Sequence, residues 1–386
     1  MSYRNKLLRI TLICYLPIVV LFATIRMLSA FGVLDFLNNE WGGYVLNIVI
    51  QVGLLFCLSI FLFAFLMKSN TKNVLKFFGF RKIRFRQILI SILIGIVVYV
   101  LNVLIMTFIN ALMSSIGYNF SSGGERMTSY PIWLLLVNLF FTAVLPGVCE
   151  EVAHRGMILN GFSQFGPRRA VVLSALLFGL LHLNVEQVVY ATLIGILVGY
   201  ISLRTESIYP AMIVHFMNNA ISVFMGFSSF HNLGFDAGFQ VLQSWLSSSP
   251  ILTIMFMILL IFALFIFLFW LLFHLFKFSA LDRMGKMQKA MVEQYEKERY
   301  LYEIENIKNG NFDRVDDTSI QERFLDNFDK IYNEKAKQLG YHSDITFNLQ
   351  KEPILYETDK IAKIILTTII VIMSTITLFT FIWGIL

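Results

Sequence analysis

The stretch "VLPGVCEEVAHRGM", residues 144–157, begins where one of the most apolar runs in the chain, "PIWLLLVNLFFTAV" at 131–144, ends. Residues 131–158 together are long enough for one membrane-spanning helix, and that helix carries charges. A charged side chain at the bilayer centre costs about 2.5–3.5 kcal/mol on insertion scales. Left unpaired, Glu150, Glu151 and Arg155 would together cost on the order of 8 kcal/mol. A helix that keeps them must hold them against partners inside a bundle, or use them.

The rest of the chain supplies such a bundle. Of 386 residues, 57% are hydrophobic and 15% charged, against about a quarter charged in a soluble domain. Nine apolar runs read as spans: 7–33, 44–67, 87–116, 131–158, 169–186, 187–203, 208–229, 251–276 and 362–385. The fifth and sixth are short and abut one another. The fold class is all-α: a multi-pass transmembrane helical bundle of about eight or nine spans, with a helical cytoplasmic insert before the last. The first run is too long for a signal-peptide core and no small-residue cleavage site follows it, so it reads as a retained anchor.

Lys and Arg in short loops set the orientation. "MKSNTKNVLKFFGFRKIRFRQ" (67–87) is dense in positive charge and is expected in the cytoplasm, with the N-terminus and its Arg4, Lys6 and Arg9. Arg168, Arg169 and Arg204 fall on the same side, while "SSFHNLGFDAGFQVLQSWLSSSP" (228–250) has neither Lys nor Arg and is expected outside. Nine spans then place the C-terminus outside. The net charge of +6 is mostly this bias and gives no reason to expect nucleic acid as a partner. Cys14, Cys57 and Cys149 lie in apolar segments without zinc-ligand or redox spacing, and read as small buried hydrophobes.

Composition divides the chain. Residues 1–84 are N-terminal spans, 85–230 a membrane core, and 231–278 an external loop and a span. Residues 279–361 form a mixed-charge, mostly helical cytoplasmic region, and 362–386 the last span. Only eight of the 25 acidic residues precede position 279. Within the insert, "MGKMQKAMVEQYEKERYLYEIENIKNG" (284–310) reads as an amphipathic helix ended by Gly310. "SIQERFLDNFDKIYNEKAKQLG" (319–340) opens on a capping box, Ser319 and Glu322, and stops at Gly340. "DITFNLQKEPILYE" (344–357) suggests a short strand. The insert is a candidate docking region for a regulatory protein. No internal repeat, Walker loop or dinucleotide fingerprint is present. Gly195 and Gly199 form a GxxxG that favours close helix packing.

Three short patterns put polar groups one helical turn apart inside apolar runs. Glu151 and Arg155 are i, i+4 and can pair, while Glu150 points about 100° away toward another neighbour. In "FGLLH", Phe178 and His182 are i, i+4. In "HFMNN", His215 and Asn219 are i, i+4, with Asn218 beside them. Ionisable groups within membrane helices generally face the bundle interior and mark functional sites. A carboxylate, two imidazoles and a carboxamide suit hydrolysis: a base for water, and donors for an oxyanion. His154 reads as interfacial rather than catalytic. Counted from the cytoplasmic ends, Glu150, His182 and His215 lie roughly 10–20 Å deep but not level, so a helix must shift or break, with Pro146 the candidate kink.

Other chemistries fit less well. There is no HExxH zincin helix and no G-x-S-x-G elbow. Glu151-Val-Ala-His154 spells the ExxH of a di-iron bundle, which needs a second copy and two further glutamates. No second copy exists. A transporter with an acid–histidine proton relay stays open.

Taken in order, EEVAHRG (150–156), FGLLH (178–182) and HFMNN (215–219) resemble the EExxxR, FxxxH and HxxxN motifs of the CAAX protease and bacteriocin-processing family. The flanks "SALLFGLLHL" and "YPAMIVHFMNN" are close to that family's wording, and the resemblance covers about residues 85–230. His154 departs from it, standing where the family often has an aromatic residue. The resemblance implies an intramembrane endopeptidase similar to the type II CAAX prenyl endopeptidases, acting on a peptide or lipidated protein among membrane lipids. It implies Glu150 as general base on water, His182 as its holder, Glu151 as the partner of Arg155, and His215 and Asn219 as the oxyanion site. Glu150, His182 and His215 could bind zinc on paper, but glutamate-based hydrolysis without a cofactor is the favoured expectation. The alternatives are a non-catalytic scaffold for a partner such as a sensor kinase, or a bacteriocin self-immunity protein.

Overall fold

In a bilayer every backbone N–H and C=O has to find its partner within the protein, and the apolar runs of this chain accordingly form helices. The computed structural model describes residues 3–37, 40–115, 117–118, 129–235, 237–308 and 360–385, which hold helices and turns but no strand. Among them eight stretches are long and apolar enough to cross a membrane: Asn5–Ser29, Trp41–Met67, Phe85–Thr107, Ile132–Leu159, Gln187–Thr205, Tyr209–Phe230, Ile254–Arg283 and Lys360–Ile382. The molecule is a multi-pass helical bundle. The expected helix at 319–340 and strand at 344–357 lie outside the described residues.

The first span is α1 (Tyr3–Ala30). The second joins α2 (Glu40–Ile48), a π-helical segment (Val49–Leu58) and α3 (Ser59–Met67). It stops at Lys68, which turns left-handed at φ 51°. The short α4 (Thr71–Phe77) is capped by the side chain of Asn70, which accepts the N–H of Asn73 at 2.9 Å. After α5 (Phe85–Ser115) comes the span that carries the glutamates. It is built of α6 (Ile132–Asn138), a π segment (Leu139–Val144), α7 (Leu145–Glu151) and a second π segment (Val152–Leu159). Pro146 sits in the first turn of α7, where its missing N–H is tolerated. The expected break at Pro146 is therefore a pair of widened turns on either side of Glu150, a feature frequent at functional sites.

The expected span 169–186 is corrected by α8 (Pro167–Leu181), a helix of 15 residues. Such a helix is about 22 Å long and falls short of a hydrocarbon core of about 30 Å. Leu183, at φ 52°, reverses the chain into α9 (Val185–Thr205). Asn160 Nδ2 donates to the Phe77 carbonyl at 3.0 Å, and Ile208 N–H to that of Gly79 at 2.9 Å. The chain thus enters α8 and leaves α9 at the same end of the bundle, and the hairpin does not alter the side on which later helices begin. Close approach of its arms needs glycine: a Cβ on Gly179 would lie 2.8 Å from the Val188 carbonyl, and one on Gly195 3.1 Å from Ala175.

The remaining elements are α10 (Tyr209–Phe230), α11 (Ala237–Ser248), α12 (Pro250–Lys308) and α13 (Lys360–Ile385). α11 lies inside the expected external loop. The amphipathic helix expected from 284 is not separate, because α12 runs unbroken from the last apolar turn to Lys308. By contacts the chain forms two units, Met1–Phe276 with Ile354–Leu386, and Lys277–Pro353. In the second unit Lys286 pairs with Asp282 at 2.7 Å.

In the first unit α1, the second span, α7, α8 and α13 share one apolar cluster that includes Leu12, Ile18, Met157, Ile158 and Ile369. A second cluster joins α5, α9, α10 and α12 through Ile94, Val198, Val214 and Leu271. Cys14 and Cys149 are buried as expected, but Cys57 is exposed.

Candidate active site

α7 carries Glu150 and Glu151 on faces about 100° apart, and the two go to different partners. Glu151 is completely buried. Its Oε1 lies 3.0 Å from Arg155 Nη1 and 2.8 Å from His215 Nδ1. Arg155 is equally buried; its Nη2 donates to the Gly195 carbonyl at 3.3 Å. Its guanidinium lies over the Phe178 ring, 4.3 Å from the centroid, where the ring's negative face attracts it. Phe178 also meets His154, His182 and His215 edge-on at 5.1, 5.2 and 5.7 Å. The aromatic residue of "FGLLH" is thus the common floor on which the polar side chains stand.

Glu150 faces a cavity of about 460 Å³. His182, His215 and Asn219 line the same cavity, whereas Glu151 and Arg155 stand behind it. Oε1 of Glu150 accepts a hydrogen bond from Gln51 Nε2 at 2.7 Å, and Oε2 lies 3.8 Å from His215 Nε2. His182 caps the C-terminus of α8, and it lines the cavity together with Glu150. Its Nδ1 lies 3.0 Å from the Phe178 carbonyl, which can only accept. Nδ1 therefore carries the hydrogen, and Nε2 of the neutral ring is the free lone pair. His215 is held through Nδ1 by Glu151, and its Nε2 lies toward Glu150.

Asn219 is anchored at the break in the glutamate span. Its Nδ2 donates to the Thr142 carbonyl at 3.1 Å, and its Oδ1 accepts from Asn218 Nδ2 at 3.1 Å. Thr142 is four residues before Pro146, a residue with no N–H to return to it. Of the two amide hydrogens on Asn219 Nδ2, one is left for the cavity. Asn218 is buried and lines the cavity beside it.

One sequence expectation is corrected here and another is extended. His154 is not interfacial but fully buried. Its Nδ1 donates to the Glu150 carbonyl at 2.9 Å, its Nε2 lies 3.0 Å from the Tyr15 hydroxyl, and its own carbonyl accepts from Ser174 at 2.9 Å. Glu151 pairs with Arg155 as expected, and the same oxygen also holds His215. As for metal, the donors Glu150, His182 and His215 do not form a fitting set. Among the described residues no group of three or more His, Cys, Asp or Glu side chains is placed to hold an ion.

The sequence reading missed the contributors from the first three spans. Gln51 binds Glu150, Tyr15 binds His154, and Asn47, Tyr99 and Asn102 line the cavity. A signal was there for two of them. Asn47 and Gln51 are polar residues at i, i+4 in an apolar run, the same pattern that marked the other motifs.

Residues 131–221 match the family model described as type II CAAX prenyl endopeptidase Rce1-like, a narrower stretch than the 85–230 of the sequence resemblance. No curated protein and no solved structure matches the chain.

Proposed function

From the premise that residues 131–221 are a CAAX-protease-type domain, we propose that the chain is an intramembrane endopeptidase that hydrolyses a peptide bond of a membrane-associated or lipidated substrate by glutamate-activated water. The observation that carries this reading is the cavity itself, where Glu150, His182, His215 and Asn219 converge from α7, α8 and α10.

Glu150 takes a proton from water through Oε2, the oxygen not held by Gln51. The lone pair on His182 Nε2 accepts the second hydrogen of that water and fixes its direction. As the water attacks the carbonyl carbon, negative charge grows on the carbonyl oxygen. His215 Nε2–H and the remaining amide hydrogen of Asn219 donate to it. In this role His215 carries both protons, one on Glu151 and one on the oxyanion. Glu150 then returns its proton to the leaving amine. Donors aimed at developing charge inside a water-poor site are the strongest device available to such an enzyme.

The reading uses no metal. Activity is therefore expected to survive strong chelators. The asymmetry of Lys and Arg supports a cytoplasmic N-terminus and a cytoplasmic 279–361, in a cell membrane. Reporter fusions within 68–86 and 231–249 should report opposite sides, the first cytoplasmic. Residues 279–361 are the proposed docking region for a regulatory protein.

The deciding experiment is Glu150→Gln in vesicles, assayed on farnesylated and unmodified quenched peptides. It keeps volume and polarity, and turnover should fall about 100-fold or more at unchanged melting temperature. Undiminished turnover by the variant would end the peptidase reading. An in vivo phenotype that survives the substitution would favour the scaffold or self-immunity role.

A further inference from the structure

The polar groups that the peptidase reading uses all lie within 131–221, yet the carboxylate at their centre is held from outside that stretch. Gln51 sits in the π segment of the second span, is 7% exposed, and gives its amide to Glu150 Oε1 at 2.7 Å. A glutamine buried between apolar neighbours such as Leu55 has no reason to be there unless its amide is used. Its Oε1 makes no hydrogen bond among the described residues, so the donation from Nε2 to Glu150 is the use its amide finds there. A second observation points the same way. Asn47, one turn earlier on the same span, lines the cavity, and its Oδ1 is buried without a hydrogen-bond partner among the described residues. One face of the second span is therefore turned to the site.

We infer that Gln51 is a positioning residue for Glu150: it fixes Oε1 and thereby aims Oε2 at water, and through it the second span completes a site that the 131–221 domain does not hold by itself. The inference rests on the peptidase reading for its catalytic consequence, though not for the contact. A carboxylate free to rotate about its last bond presents either oxygen, and its productive geometry becomes a fraction of its population. Gln51 does not line the cavity, so substrate affinity should not depend on it.

Two measurements test this. Dicyclohexylcarbodiimide reacts with carboxyl groups in apolar surroundings, and peptide mass spectrometry reads its addition at Glu150 without any need for turnover. Gln51→Leu should label at Glu150 at least about threefold faster than wild type, because the oxygen no longer carries the amide. Gln51→Asn keeps polarity but shortens the reach, and should behave as Gln51→Leu does; it serves if the leucine variant folds poorly. An unchanged labelling rate in a folded variant overturns the inference and leaves the peptidase reading standing. In the turnover assay, kcat should fall about 10-fold with KM unchanged. A rise in KM at constant kcat would make Gln51 a substrate contact instead. Full turnover by Glu150→Gln would end the peptidase reading but not the labelling result.

Discussion

His215 Nδ1 sits 2.8 Å from Glu151 Oε1, and the same oxygen lies 3.0 Å from Arg155 Nη1. One buried carboxylate thus fixes the cavity-facing histidine of α10 while neutralising a guanidinium on its own span. The two jobs cannot be separated by mutation at Glu151, but they can be at its partners.

Arg155→Ala should therefore damage the fold as well as the site. Removing one member of a buried ion pair leaves the other charge uncompensated, at a cost of about 3–5 kcal/mol. Melting temperature in detergent and protein yield should both drop, and turnover with them. Wild-type stability and turnover together would mean that the 3.0 Å pair does not matter.

Asn219→Ala removes both the anchor on Thr142 and the proposed oxyanion donor. The hydrogen bond itself is worth about 1 kcal/mol of stability. Loss of an oxyanion donor costs about 100-fold or more in kcat. A folded variant with kcat within about twofold of wild type would remove Asn219 from the proposed mechanism.

His154 and Tyr15 should behave as a coupled pair. Tyr15→Phe leaves the buried His154 Nε2 unpaired, costing about 1–3 kcal/mol, while His154→Phe leaves the Tyr15 hydroxyl the Leu177 carbonyl at 3.3 Å and should cost less through this contact. The double variant should cost less than the sum of the singles, as expected for groups in direct contact. Strict additivity in thermal or denaturant unfolding would show that the 3.0 Å contact carries no energy of its own.

The α8–α9 hairpin gives a steric test with an internal control. A Cβ on Gly179 meets the Val188 carbonyl at 2.8 Å, whereas one on Gly226 meets nothing within 4 Å. Gly179→Ala should destabilise by about 1–3 kcal/mol through overpacking. Gly226→Ala, inside α10, should be neutral or gain up to about 1 kcal/mol from helix propensity. Equal melting temperatures for the two variants would contradict the packing.

The sequence by itself determined the fold class and pointed to polar side chains that the structure gathers at and behind one cavity. Membrane spans are legible because lipid imposes a local rule: each stretch must be apolar and must close its own backbone hydrogen bonds. The i, i+4 pairs at Glu151–Arg155, Phe178–His182 and His215–Asn219 were legible for the same reason, since helical spacing alone puts them on one face. What only the tertiary structure decided is everything that depends on which face meets which. α8 is too short to cross because Leu183 turns the chain, and hydropathy does not see where an apolar run reverses. His154 is buried rather than interfacial because α1 brings Tyr15 to it across 139 positions of sequence. Glu151 reaches His215 because widened turns on both sides of α7 set its register against α10, and a π segment has no clear signature in composition. Gln51 joins Glu150 for the same kind of reason: a polar residue in an apolar helix announces that it has a partner, but only the packing of a distant span says which one.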